Sequence, residues 1–155
     1  MADSVLIIAA ESVTRLEDVA GKVLVAGSHG GVIAAWYGAK AGARALVLND
    51  AGVGRDRAGI AGLTYLEAIG MAAAVVDCMS ARIGDGADML ARGVISHANA
   101  YAALCGVVAG QSCREAAGRM RAAFSSSART ARCSAAGGSL RWRWVRLRRC
   151  STMRA

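Results

Sequence analysis

The side chains of this chain that could do chemistry are few. They are two histidines, one serine held between glycines, and a handful of carboxylates and amides. Ser28 lies in Ala26-Gly27-Ser28-His29-Gly30-Gly31. A hydroxyl in such a turn can act as a nucleophile or anchor a substrate, provided an imidazole takes its proton. His29 is its neighbour and His97 lies far along the chain; either can act as a general base near neutral pH. Asp50, which follows Asn49, and Asp85, in Gly84-Asp85-Gly86, are the carboxylates able to orient such a base. A third chemistry needs no base. The backbone N–H groups of residues 28–31, with Gly27, Gly30 and Gly31 making the turn tight, can hold a phosphate or carboxylate while the Ser28 hydroxyl assists. The same glycines also suit a tight turn for backbone reasons alone. Asp50 can equally cap the turn through Ala51-Gly52, and Ser96 or Asn99 can cap the helix that follows His97.

These residues need a scaffold, and residues 22–50 supply its plan. Residues 22–26 read as a buried strand, 27–31 as a glycine turn, 32–41 as a helix and 45–48 as a second buried strand. This is a βαβ unit with a polar exit from its first strand. Residues 5–10 read as an earlier strand and residues 13–19 as a short helix, with Ser12 as its N-cap and Gly21 closing it. Residues 60–69 have helical spacing, and 72–76 read as a further strand. Residues 87–92 and 100–104 are helical turns, and Ser112 with Glu115 three positions on opens a last helix over 113–124. The expected fold is therefore α/β: a small three-layer domain with a mostly parallel sheet of four strands, or five with an edge the pattern does not reveal. In an open parallel sheet the strand ends line one edge, so Ser28, His29, Asn49 and Asp50 are expected to converge there. Trp36 and Tyr37 are expected to pack the helix after the turn onto the sheet.

The stretch from Ala26 to Gly31 resembles the small-x-Ser-x-Gly-Gly nucleophile elbow of the α/β-hydrolases, with Ala26 in place of the first glycine. The order of serine, later acid and still later histidine is also theirs. The resemblance implies Ser28 as nucleophile, His97 as base, and Asp85 or Asp77 as the group that orients the base. It covers residues 22–97 in outline. The chain is short for that family, and no HGGG-type loop precedes the elbow.

Composition narrows the rest. The chain has 155 residues, 55% of them apolar, with 19 glycines and no proline; one domain is expected over residues 1–124. The net charge of +8 comes entirely from residues 125–155, which hold eight Arg and no acid, whereas residues 1–124 are balanced at eleven cations and eleven acids. The domain itself is therefore not expected to bind nucleic acid. The basic tail is expected to be disordered, and a shifted reading frame would explain its mixture. Its functional alternative is a segment in which Trp142 and Trp144 interleave with Arg to bind anionic partners. The five cysteines form no CxxC pair and have no His at zinc spacing, so free thiols, no metal and no cofactor are expected. No dinucleotide fingerprint or P-loop is present. Asp3 is the only charge in the first ten residues, so a signal peptide is not expected and a cytoplasmic protein is. Two functions stand. One is a metal-independent hydrolase- or lyase-like enzyme acting on a small polar or anionic metabolite. The other is a non-catalytic domain that holds a small anion at the glycine turn, or an inactive truncated product. A domain this small and rich in alanine is expected to gain by forming a homodimer.

Overall fold

The computed structural model describes residues 6–126; residues 1–5 and most of the basic tail lie outside the described residues. Five strands form one sheet in the order in which they occur: β1 (Ile7–Ala10), β2 (Val23–His29), β3 (Ala45–Asn49), β4 (Ala72–Val76) and β5 (Ile95–Ala98). The first four are parallel and β5 is antiparallel to β4. β3 and β4 are buried at every position. That is why they read as unbroken apolar runs: helices cover both faces of the sheet. On one face, α1 (Val32–Lys40) and α2 (Ala61–Ala68) pack over Leu24, Leu46, Leu48, Ala73 and Val75. On the other, α3 (Gly86–Arg92), α4 (Ala100–Leu104) and α5 (Cys113–Ser126) pack over Val23, Val25, Val47, Ala74 and Val76. The fold is the expected small three-layer α/β domain, with five strands.

Three local expectations are corrected. Residues 13–19 form turns rather than a helix; Asp18 has a positive φ of 51°, while Val13 and Val19 plug the core beside α1. β2 does not stop at Ala26 but runs on through Gly27 and Ser28 to His29. It can do so because other backbone lies against it. A Cβ on Gly27 would overlap the backbone of Gly84 and Asp85 and sit 2.7 Å from the Glu11 carbonyl oxygen. Finally, α1 is turned the other way from expectation. Its small residues Ala34, Ala35 and Gly38 face the sheet and α2, while Trp36 and Tyr37 remain 40% and 39% exposed. Close approach forces this arrangement: Gly62 of α2 donates its N–H to the Gly30 carbonyl at 2.8 Å, and a Cβ on Gly62 would lie 2.8 Å from that of Ala35.

Candidate functional site

The C-terminal ends of β1 to β4 share one edge of the sheet, and antiparallel β5 starts there. The loop after β3 leads to α2 on one face, and the loop after β4 leads to α3 on the other. Where neighbouring loops part to opposite faces, a crevice opens at the strand ends. Asp50 stands at that point just after β3, and Asp77 and Cys78 just after β4.

Asp50 is 4% exposed. One carboxylate oxygen accepts the N–H groups of Gly52 at 2.9 Å and Cys78 at 3.0 Å, and the other accepts the Ser96 hydroxyl at 2.8 Å. Burial pushes this carboxyl up, but the hydrogen bonds from Gly52, Ser96 and Cys78 outweigh burial and hold it below the usual carboxylate range. Asp50 is thus an anion kept by three donors. The Ser96 hydroxyl also lies 3.2 Å from His97 Nδ1. Because the hydroxyl proton is committed to the carboxylate, Ser96 can only accept from His97, which places the imidazole proton on Nδ1 and leaves Nε2 open.

A bulge makes this chain of contacts. Ala74 pairs with Ala98 and Val75 with His97, but Val76 pairs with Ile95, so Ser96 is the extra residue. A bulge of this kind sets two consecutive side chains opposite one partner, here Ser96 and His97 opposite Val75. The loop on the other side of Asp50 is strained. Of the five described non-glycine residues with positive φ, Ala51, Val53, Asp56 and Arg57 all lie within residues 51–57. The β-branched Val53 at φ 64° is the costliest of them.

The other expected residues lie elsewhere or do other work. Ser28 accepts the Val13 N–H at 3.1 Å. β3 and β4 separate it from His97, three strand spacings or about 14 Å away, so the expected Ser28–His97 pair is not made. His29 is exposed, and its Nδ1 accepts the Gly31 N–H at 3.1 Å, so its proton is on Nε2. Asp85 does not orient a base: it caps α3, accepting the Asp88 N–H at 2.8 Å. Gly30 donates to the Asn49 carbonyl at 2.6 Å. The Asn49 side chain accepts from Ala51 N–H at 2.9 Å, while its buried Nδ2 has no partner among the described residues. Asn99 caps α4 and ties its start to β4. Asp77, Asp50 and Cys78 hold one potential ligand atom each within 4.8 Å of one another. Three acceptor sites of Asp50 are already taken by its donors, and burial with the charges of Asp50 and Asp77 pushes the Cys78 thiol up, which disfavours the thiolate a metal would need.

Beside β2 lies a second feature, an open and mainly apolar groove of about 470 Å³ whose wall includes Ser12, Thr14, Ser28, His29, Tyr37 and Ile83. Its wall includes Ile33 and Ala34 in the first turn of α1, a helix that has no side-chain cap. Since Ser28 Oγ accepts from Val13, its own proton is free to donate. No protein-family model, curated protein or solved structure matches this chain.

Proposed function

We propose that this chain is a small-molecule enzyme, hydrolase- or lyase-like, that moves a proton on a polar or anionic metabolite with His97 as its general base. The observation that carries the reading is the Asp50–Ser96–His97 chain at 2.8 and 3.2 Å, anchored on a buried, ionised carboxylate. In this reading His97 Nε2 takes the proton from substrate or from an attacking water. The positive imidazolium that results is stabilised through the polarised Ser96 hydroxyl by the Asp50 charge. Ser96 and Asp50 are positioning residues; His97 alone touches the reacting atoms. A placed base of this type contributes a factor of about 10²–10⁴ to rate.

The groove favours a second reading, in which Ser28 and the first turn of α1 hold a small anion without catalysis. One experiment separates the two. Carboxylate and phosphate metabolites are screened by thermal shift on the full chain, and each hit is followed by NMR for turnover. The enzyme reading expects turnover that falls by about 10²–10⁴ in His97→Gln with binding retained. Binding that is never followed by turnover, and that is lost in Ser28→Ala but not in His97→Gln, would establish the second reading instead.

A further inference from the structure

We propose that the outward face of α1 is the interface of a homodimer, formed by antiparallel packing of α1 against α1 of a second copy. The observation is an inverted helix. Buried helices of an α/β sheet place large apolar residues inward, yet α1 presents Val32, Ile33, Trp36 and Tyr37 outward, at i, i+1, i+4 and i+5. Ile33 is 68% exposed, and Ile83, which shares the groove wall with Ile33 and Tyr37, is 55% exposed. The patch is on the order of 400 Å², the size of the largest apolar patch of a typical monomer, which is often functional. That is about half of the roughly 800 Å² per partner of a standard stable interface, which fits a weak dimer.

Charge selects the occupant. Lys40 ends α1 and lies over the Trp36 ring at 4.7 Å, while Glu11 borders the groove beside the first turn of the same helix. A twofold axis that sets the two α1 helices antiparallel brings Lys40 of one copy toward the partner's Glu11, twice over, with the Trp36–Tyr37 pairs meeting at the centre. The chain's own basic tail offers no such match, since its arginines repeat the sign of Lys40. An anionic membrane calls for a basic rim, whereas Lys40 and Glu11 give this patch opposite signs at its two ends. The dimer would also wall the open side of the groove, because Ile33 and Tyr37 belong to both the patch and the groove.

The test is sedimentation velocity of the full chain from about 1 to 100 µM, a range that brackets a weak homodimer. The expected result is a species of twice the chain mass. Ile33→Glu should give a monomer with an unchanged circular dichroism spectrum, because this side chain is exposed and makes no core contact. Lys40→Glu and Glu11→Lys should each weaken the dimer about tenfold, and the double variant should recover it. A wild-type monomer throughout the range would overturn the proposal. So would a dimer indifferent to Ile33→Glu, or a monomer whose Ile33→Glu variant loses binding to anionic lipid vesicles.

Discussion

Replacing Asp50 by Asn tests the anchor of the candidate site with almost no change of shape. The amide keeps the oxygen that accepts from Gly52 and Cys78 but turns an N–H₂ toward Ser96, which must then reverse its role. Three hydrogen bonds to a charge become three neutral ones, a loss of about 1 kcal/mol each. Dehydration of the carboxylate, which burial imposes on Asp50 and the amide avoids, returns part of this. The net expectation is that Asp50→Asn is less stable at pH 7 by about 2 kcal/mol, or roughly 8 °C in Tm for a domain of this size. The pH dependence has a definite sign. The folded-state carboxyl is held below its ordinary value, so its stabilisation is present above the usual carboxylate range and is lost as pH falls through the depressed folded value. Urea unfolding of both proteins at pH 7 and at about pH 2.5 should therefore show a gap that closes in acid. Equal stability at pH 7, or a gap that persists unchanged at the low pH, would refute the account of Asp50 as a held anion. The ¹⁵N shifts of His97 give a second readout: Nδ1 should carry the proton in the wild type.

Two further perturbations examine the scaffold. Gly27→Ala should cost about 3 kcal/mol, because its Cβ would overlap the fixed backbone of Gly84 and Asp85 and no flexible side chain can move aside; guanidinium unfolding measures it, and a loss below about 1 kcal/mol would mean that the 84–85 backbone yields. Burial pushes the Cys113 thiol up to about 12, only partly countered by Arg114, so native protein at pH 8 should leave Cys113 unlabelled by iodoacetamide, as peptide mapping would show, until denaturant exposes it.

The sheet was legible because its central strands are buried on both faces. Runs such as residues 45–48 and 72–76 have no polar residue to hide, and glycines punctuate them. β5 was not legible, because four residues reading Ile-Ser-His-Ala at a bulge show neither alternation nor an apolar run. That omission concealed Ser96, which reads in the sequence only as a helix cap; no local signal says that a strand will set it between Asp50 and His97. The orientation of α1 was misread for a related reason. Aromatic residues at helical spacing reveal a face but not which way it points, and here Gly62 and Ala35 bring two helices so close that only small residues fit between them. The positive φ of Ala51 and Val53 is equally invisible, because neither residue type favours it.

The sheet also decides what a single ligand can reach. Ser28 and His97 both belong to the edge where a parallel sheet gathers its strand ends, which is why the order of serine, acid and histidine suggested one constellation. Yet β2 and β5 are separated by two whole strands, and at ~4.8 Å per spacing the gap of about 14 Å exceeds the span of a small metabolite. In the proposed reading, chemistry at His97 therefore has to draw on neighbours from β3 and β4. Those are the strands whose loops diverge and whose ends carry Asp50, Asp77 and Cys78. Ser28 lines the groove on the β2 side. Because the two centres share no side chain, Ser28→Ala and His97→Gln should act independently: a ligand weakened by one should be indifferent to the other, unless it is long enough to bridge the crevice and the groove.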